Sequence, residues 1–424
     1  MNYKESINWL YSFEKFGIKL GLERITYICK KLGSPHKKLK IIHVGGTNGK
    51  GSVCKFLQSI LTLNGYCIGV YTSPHLIRFS ERFTIDDKEI SDPDIVLLVK
   101  KIKPIIDEMI KKKNTPTFFE IVTAMAFEYF KEKEVDYAIV EVGLGGRFDA
   151  TNVVDPIATV ITNISLEHQD RLGDKIEDIA FEKAGIIKEG IPVITAASGK
   201  ALDIIKKRAD EKNSSITIID KHSYIIQSGG IDWQEYLIIG SLMEYYIKVN
   251  IAGNFQGENL ALTIATIEIL QINGIYISDE SITEGIEKTK YPGRMEIVSF
   301  EPIILLDGAH NVEGIKLLKD TIKYNFIFEK LILVIGILSD KNVLQMLDII
   351  TYISDTVILT KSKNKRASDP HKLKEQVDCK NVIVKDKIPE AINYAKKIAS
   401  KQDLILITGS LFTVGEAKEH LQKS

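Results

Sequence analysis

Short apolar runs alternate with amphipathic segments along most of the chain. β-Branched and apolar runs predict strands at Lys40–Val44, Cys67–Tyr71, Tyr137–Val142, Ala158–Ile161 and Val193–Thr195. Helical periodicity predicts helices between several of these strands, at Val53–Leu63, Phe118–Phe130 and Ile176–Ala184. Strands that alternate with helices are typical of a mostly parallel sheet with helices on both faces. The pattern therefore predicts an α/β fold.

The pattern changes twice further along the chain. Between Tyr224 and Val249, two glycine-containing turns separate alternating apolar runs, which predicts antiparallel hairpins. A helix is predicted at Asn259–Gln271, and Tyr291-Pro292-Gly293-Arg294 then interrupts the pattern. Strands are predicted again at Ile303–Leu306, Leu331–Ile335, Thr356–Leu359, Val382–Val384 and Leu404–Thr408. We therefore expect two domains, residues 1–294 and a smaller α/β domain at residues 295–424.

Charge and composition exclude several classes of protein. The 424 residues include 56 Lys+Arg and 56 Asp+Glu, so nothing indicates a nucleic-acid surface or an electrostatic hold on membranes. The apolar runs have strand length, too short to cross a bilayer, and no signal-type segment follows Met1. The cysteines (Cys29, Cys54, Cys67 and Cys379) lack metal-type spacing. We expect a reduced, cytoplasmic, disulfide-free protein, and nothing requires more than a monomer.

The segment from Gly45 to Ser52 lies between a predicted strand and a predicted helix. A glycine-rich turn there leaves backbone N–H groups open to phosphate oxygens. Lys50 adds a positive charge, and the hydroxyl of Ser52 can reach a metal ion. Gly51 separates Lys50 from Ser52, which departs from the common G-x-x-x-x-G-K-[ST] pattern. The segment predicts a nucleotide-binding loop from a particular branch of nucleotide-using enzymes. The alternative is a glycine-rich turn that binds no ligand.

Polar residues stand at the ends of other predicted strands: Ser73, Glu141 and His168. Strand ends face the ligand crevice in doubly wound sheets. A carboxylate at the end of a buried strand is costly unless it meets a cation, and Mg²⁺ bridging phosphate oxygens is such a cation. The alternatives are a Ser-Pro turn, a glutamate paired with a structural arginine, and a structural histidine.

Lys183 and the segment from Leu305 to Asn311 add further candidate chemistry. Lys183 has apolar neighbours on a predicted helix, and a desolvated lysine can capture CO₂ as an anionic carbamate. A surface lysine with a buried stem is the alternative. In the second domain, Asp307 can accept ribose hydroxyls or a substrate amine, and His310 can reach a phosphate across a cleft.

Six motifs in a fixed order identify a resemblance. They are Gly46–Ser52, Thr72–His75, Glu141–Asn152, Glu182–Ile186, Pro292–Arg294 and Asp307–Asn311. Together they resemble the folylpolyglutamate synthase/dihydrofolate synthase family, relatives of the Mur peptide ligases. No single motif is decisive, but the ordered set is specific and covers nearly the whole chain.

The resemblance implies an ATP-dependent amide ligase. In such enzymes ATP phosphorylates a carboxylate of the folate, and the amine of L-glutamate then displaces phosphate. It also implies a P-loop-type ATP-binding domain, a Rossmann-like C-terminal glutamate-ligase domain, two Mg²⁺ ions and a monovalent cation such as K⁺. Tetrahydrofolate is the expected acceptor, and a bifunctional enzyme that also uses dihydropteroate is the alternative.

The resemblance further assigns residues to roles. It places the ATP phosphates on Thr47, Asn48, Gly49, Lys50, Gly51 and Ser52, and other nucleotide contacts on Asn259, Arg294, Asp307 and His310. It places magnesium on Ser52, Ser73, Glu141, His168 and a carbamylated Lys183. It places the folate on Phe119, Asp149 and Ala150, and the glutamate near Ser410. Lys50, Lys183 and His310 are the expected catalytic residues. Glu167 and Phe412 depart from the family pattern, and we expect both to lie away from the central chemistry.

Three alternative classes fit less well. A Mur peptide ligase would carry a separate substrate domain before the loop, and the residues before Gly45 are too few for one. A nucleotide-dependent switch needs neither Lys183 nor a second domain with Asp307 and His310. A Rossmann oxidoreductase is disfavoured because neither domain has the dinucleotide fingerprint.

Overall fold

The computed structural model describes residues 1–17, 19–377 and 381–423. In the N-terminal part the strands are β1 (Ile41–Gly45), β2 (Ile68–Tyr71), β3 (Phe83–Ile85), β4 (Lys88–Glu89), β5 (Tyr137–Glu141), β6 (Ala158–Ile161), β7 (Val193–Thr195), β8 (Ile216–Ile218), β9 (Tyr224–Gly229), β10 (Gln234–Ile239) and β11 (Glu244–Val249). The helices are α1 (Tyr3–Tyr11), α2 (Glu23–Lys31), α3 (Lys50–Leu63), α4 (Asp92–Lys111), α5 (Phe118–Glu132), α6 (Gln169–Leu172), α7 (Ile176–Ala184), α8 (Gly199–Glu211), α9 (Gln256–Ile272) and α10 (Asp279–Glu287).

The first eight strands form one sheet in the order β4-β3-β2-β5-β1-β6-β7-β8. Only β3 and β4 run antiparallel to their neighbours, so the predicted mostly parallel sheet is confirmed. Alternate residues of β1 point to opposite faces. Ile41 belongs to the apolar core that includes Phe127 of α5, whereas Ile42 belongs to the core that includes Val53 of α3. Helices therefore cover both faces, and β1 lies in the middle.

Strands β9, β10 and β11 form a separate antiparallel sheet, which confirms the predicted hairpins. One face of it packs against α9 and α10 of the same domain through buried Tyr236 and Ile247. The helix that follows begins at Gln256, three residues before the predicted Asn259. Among the described residues, no helix combines the length and apolar character that a membrane span requires.

The C-terminal domain is a second α/β unit, as predicted. Its strands are β12 (Glu296–Phe300), β13 (Ile303–Leu306), β14 (Leu331–Ile335), β15 (Thr356–Lys361), β16 (Val382–Lys387) and β17 (Leu404–Thr408). Its helices are α11 (Val312–Asn325), α12 (Val343–Thr351), α13 (Pro370–Lys374), α14 (Ile388–Ile398) and α15 (Leu411–Gln422). The sheet order is β12-β13-β17-β14-β15-β16, with only the edge strand β12 antiparallel. The segment after the carboxyl end of β13 faces the first domain, because Asn311 there donates to Asn48.

The predicted start of helix α3 is wrong by three residues. The helix begins at Lys50 rather than Val53, directly after Gly49 in a left-handed conformation (φ 85°). Lys50, Gly51 and Ser52 thus form the first helical turn, whose N–H groups have no partner inside the helix. Cys29, Cys54 and Cys67 are free thiols, and Cys379 lies outside the described residues.

Candidate active site

The loop between β1 and α3 requires its glycines. Gly46 and Gly49 adopt φ values of 128° and 85°. A Cβ atom on Gly46 would lie 1.8 Å from Oγ1 of Thr162, and one on Gly49 would lie 2.2 Å from Oδ1 of Asn259. A side chain at either position would collide with the end of β6 or the start of α9. A Cβ on Gly51, by contrast, would meet nothing within 4 Å, because the first turn of α3 faces open space.

The hydrogen bonds of this loop divide it into two parts. The N–H of Thr47 donates to the carbonyl of Asn163 (2.8 Å), and the N–H of Asn48 donates to Oδ1 of Asn163 (3.0 Å). In the described part of the chain, the N–H groups from Gly49 to Ser52 have no acceptor. These consecutive N–H groups at a helix N-terminus form an anion cradle. The backbones of Thr47 and Asn48 instead fix the shape of the loop.

Lys50 lies over the same loop. Its Nζ donates to the carbonyls of Gly46 (3.1 Å) and Thr47 (2.9 Å). Both bonds are local, and the lysine stem is flexible, so the ammonium can turn toward an anion in the cradle. Asn259, on α9, is buried and donates to Gln256 (2.9 Å). It forms the wall behind Gly49.

Glu141 ends β5 as a buried carboxylate that accepts a hydrogen bond from the N–H of Ser73 (3.0 Å). Burial raises its pKa, and the charge of Lys50 opposes that shift. No ion pair of Glu141 occurs among the described residues, which is unusual for a buried carboxylate. A divalent cation fits this place, because Mg²⁺ prefers carboxylate and hydroxyl oxygens.

The protein's own acidic and histidine side chains do not complete a metal shell. Within the described ranges, no group of three His, Cys, Asp or Glu residues converges on one point. The predicted ligand set relies on two serine hydroxyls and a modified lysine beside Glu141 and His168. A metal here would take its remaining ligands from phosphate oxygens and water, as Mg²⁺ commonly does.

Lys183 is buried on α7, as the sequence predicts, but its partner is unexpected. Its Nζ donates to Oε1 of Glu167 (2.8 Å) and to the carbonyl of Gly46 (2.7 Å). Burial lowers the pKa of Lys183, while the Glu167 carboxylate opposes that shift. The expectation that Glu167 lies away from the central chemistry is wrong, since the residue touches a candidate catalytic lysine. Lys183 and Lys50 hold the pKa of Glu167 at about 2 despite its burial.

Lys341 is a candidate site residue that sequence reasoning missed. It follows β14 in the C-terminal domain, and its Nζ lies 3.4 Å from Nε2 of His168 in the N-terminal domain. Its side chain is only 10% exposed, and Asp340 lies 3.9 Å away. The sequence carried little sign of it, because Lys341 stands six residues beyond the end of β14 and its partner His168 lies in the other domain. Burial and the Lys341 charge lower the pKa of His168.

Asp307 and His310 follow β13 in the C-terminal domain, on the side of the candidate site opposite the nucleotide loop. Asp307 is buried and accepts from the N–H groups of Met295 (3.0 Å) and Ala309 (2.8 Å). His310 donates from Nδ1 to the carbonyl of Gly308 (3.1 Å), so its Nε2 carries the lone pair. Burial first, and then the charges of Arg294 and Lys341, lower the pKa of His310 to about 4. His310 is therefore neutral at pH 7 and presents an acceptor.

The two walls meet through direct contacts. Nδ2 of Asn311 donates to Oδ1 of Asn48 across the cleft (2.9 Å). The hydroxyl of Tyr291, in the connection between the domains, lies within hydrogen-bond distance of the carbonyls of Ser52 and Gly51 and can donate to either. Nδ2 of Asn48 is buried without a partner in the described part of the chain. The nucleotide loop thus touches both the connection and the C-terminal domain.

The predicted folate and glutamate residues lie in two separate places. Phe119 packs so closely on Gly143 that a Cβ there would lie 2.4 Å from its ring. Asp149 accepts from the N–H of Leu144 (2.8 Å), and Ala150 follows it, buried. These residues form one wall beside the end of β5. Ser410 is buried and caps α15 by accepting from the N–H of Thr413 (3.1 Å).

Comparison with known proteins agrees with this arrangement. Residues 44–267 match the Mur ligase middle domain, and residues 293–411 match the glutamate ligase domain of Mur ligases. A chain that carries both of these domains belongs to the Mur ligase class.

Individual relatives narrow the class. A Bacillus subtilis dihydrofolate synthase/folylpolyglutamate synthase is 37% identical over 99% of both chains. The Mycobacterium tuberculosis folylpolyglutamate synthase solved with ADP has a TM-score of 0.92, with 29% identity over 100% of both chains. An Escherichia coli protein solved with DHPP and ADP has a TM-score of 0.87, with 30% identity over 99% of this chain and 98% of that one. The chain belongs to the folylpolyglutamate synthase/dihydrofolate synthase family.

Proposed function

We propose that the protein adds L-glutamate to the carboxylate of tetrahydrofolate with the cleavage of ATP to ADP and phosphate. The observation that carries the proposal is the contact of the nucleotide loop with the Asp307–Asn311 segment across one cleft, where Nδ2 of Asn311 lies 2.9 Å from Oδ1 of Asn48. A carboxylate is a poor acyl donor, so phosphorylation supplies a leaving group. Cleavage of ATP and attack by an amine must then occur in the same cleft.

The nucleotide would bind with its phosphates on the N–H groups of Gly49, Lys50, Gly51 and Ser52. Lys50 would turn from its own loop carbonyls to the terminal phosphate. Thr47 and Asn48 hold the cradle in shape, and Asn259 supports Gly49. Arg294 and Asp307 would contact the rest of the nucleotide from the connection and the second domain. Such positioning and charge neutralisation supply most of the rate in phosphoryl transfer.

Glu141, Ser73, Ser52, His168 and a carbamylated Lys183 would hold two Mg²⁺ ions. The metal would neutralise charge on the phosphates. Lys183 suits carbamylation, because burial lowers its pKa and a neutral amine is the form that reacts with CO₂. A monovalent cation such as K⁺ stays a prediction from the resemblance alone.

The amine of glutamate would approach from the C-terminal domain. Glutamate arrives as an ammonium ion and must lose a proton to solvent before it attacks the acyl phosphate. Nε2 of His310 would accept a hydrogen bond from the neutral amine and orient it, because Nδ1 donates to Gly308 and the ring is neutral. Lys341 offers a cation beside His168 for a substrate carboxylate, and Ser410 lies at the end of β17 in the same domain.

The folate would lie against Phe119, Asp149 and Ala150. A second acceptor, dihydropteroate, is favoured by one observation: the Bacillus subtilis relative is named for both activities. We therefore propose tetrahydrofolate as the first substrate and a bifunctional enzyme as the second candidate. A cytoplasmic location and a monomeric state stay predictions.

The experiment measures phosphate release from ATP with each acceptor, with and without L-glutamate. We expect release that depends on both glutamate and tetrahydrofolate, and a product heavier by one glutamyl residue. A nucleotide switch would release phosphate without regard to glutamate, which would overturn the proposal. Turnover with dihydropteroate under the same conditions decides between one acceptor and two.

A further inference from the structure

His43 is a buried histidine in the middle of β1 that the proposed chemistry does not use. It shares the α5 face of the sheet with Ile41, because alternate strand residues point the same way. Its Nε2 lies 2.9 Å from Oγ1 of Thr151, and its Nδ1 has no hydrogen-bond partner in the described part of the chain. A purely structural core position would favour an apolar residue, because an unpartnered buried polar atom destabilises the fold.

The direction of the hydrogen bonds follows from the atoms involved. Oγ1 of Thr151 lies 2.6 Å from Oδ1 of Asp149, a carboxylate oxygen that only accepts. The single hydroxyl proton of Thr151 is therefore given to Asp149. Thr151 must then accept from His43, whose proton sits on Nε2. Burial lowers the pKa of His43 to about 3, in keeping with a neutral ring.

The series of hydrogen bonds from His43 through Thr151 to Asp149 ends at the wall of the candidate folate pocket. Asp149 also accepts from the N–H groups of Thr151 (3.0 Å) and Leu144 (2.8 Å), and it is 6% exposed. Leu144 directly follows Gly143, on which the ring of Phe119 packs. The position of the carboxylate and the shape of this wall thus depend on one set of hydrogen bonds.

We propose that His43 and Thr151 are positioning residues for the folate pocket: their directed hydrogen bonds hold the Asp149 carboxylate where N–H donors of the substrate's heteroaromatic ring meet it. Neither residue touches substrate. The inference rests on the proposed function only in taking this wall as the folate side of the cleft.

The chain provides a matched control for the test. Thr159 on β6 pairs with His43 in the sheet, is fully buried, and has a hydroxyl without a partner in the described part of the chain. Thr151→Val and Thr159→Val therefore remove the same atom from neighbouring buried places, but only the first breaks the hydrogen bonds to Asp149. Thr151→Ser restores the hydroxyl.

The measurement is the dissociation constant of tetrahydrofolate by calorimetry, with that of ADP as the second readout. We expect Thr151→Val to weaken folate binding about tenfold and to leave ADP binding within about twofold, because a hydrogen bond to a charged group is lost. Thr151→Ser and Thr159→Val should each stay within about twofold of wild type for both ligands.

Two results would overturn the inference: unchanged folate binding in Thr151→Val, or equal weakening of folate and ADP. If Thr151→Val does not fold, His43→Phe, which removes the Nε2 donor but keeps the hydroxyl, takes its place with the same expectations. The proposed function fails separately, when wild-type protein binds folate but releases no glutamate-dependent phosphate.

Discussion

Asn311 donates a hydrogen bond from Nδ2 to Oδ1 of Asn48, so a residue of the second domain holds the nucleotide loop directly (2.9 Å). Oδ1 of the same Asn311 caps helix α11 by accepting from the N–H of Gly314 (2.7 Å). The side-chain amide of Asn311 therefore uses its oxygen inside its own domain and its nitrogen across the cleft. The loop that would bind ATP and the neighbouring His310 are therefore coupled through a single side chain.

Asn311→Ser should lower kcat about 3- to 10-fold, because serine keeps the helix cap but is too short to reach Asn48. The melting temperature should change little. The measurement is steady-state turnover beside a thermal melt. Asn342→Ser is the control, since Asn342 caps α12 in the same domain and lies exposed. Equal effects of the two substitutions would contradict a role for the cross-cleft bond.

Lys183→Ala should lose most activity and regain part of it when short carboxylates such as acetate are added. The physical reason is that a carboxylate can replace the anionic end of a carbamate in the buried place beside Gly46. Turnover is measured against carboxylate concentration, with wild type as the control that should not respond. Full activity of Lys183→Ala without any addition would remove the carbamate from the account.

The Glu167–Lys183 pair predicts a pH dependence of stability. The folded-state pKa of Glu167 is about 2, below its ordinary value of 4.5, so the ionised Glu167 carboxylate contributes stability that is fully present above pH 4.5 and is lost as pH falls toward 2. The loss amounts to about 3 kcal/mol from this group. Glu167→Gln should therefore show a shallower fall in the free energy of unfolding over this window, measured by urea titration in bicarbonate-free buffer. Parallel slopes for the two proteins would contradict the ion pair.

His310→Ala should reduce kcat about 10-fold, because the hydrogen bond from the substrate amine to Nε2, which orients the amine, is lost. ATP binding should stay within about twofold of wild type, because the phosphate cradle belongs to the first domain. His371→Ala, an exposed histidine of the same domain, is the control. Because the pKa of His310 is about 4, we also expect no loss of activity between pH 8 and 6 from this group. An unchanged kcat would remove His310 from the mechanism.

Much of the fold follows from local patterns in the sequence. Alternating strands and helices predict both sheets, and the glycines of the hairpins predict β9 to β11. The start of α3 is wrong because Lys50, Gly51 and Ser52 look like loop residues, yet the left-handed turn at Gly49 already starts the helix. Periodicity does not record where a single backbone angle allows a helix to begin.

The candidate site, like the fold, follows only in part from local patterns in the sequence. Motif reasoning selects Lys50, Glu141 and His310 as candidates because each lies at or after the carboxyl end of a strand, the first two in one sheet and the third in the other. It misses Lys341 and misplaces Glu167, because each contacts a residue of a different structural element. Only the packed structure shows that Lys341 reaches His168 and that Glu167 is the partner of Lys183.

The transfer of oxygen from folate to phosphate tests the central claim most directly. Tetrahydrofolate with heavy oxygen in its glutamyl carboxylates is incubated with the protein, ATP and L-glutamate, and the released phosphate is examined by mass spectrometry. An acyl-phosphate ligase must move one carboxylate oxygen into phosphate, so we predict one heavy oxygen per phosphate released from a labelled site. Phosphate without the label would contradict the account, because its new oxygen would then come from water.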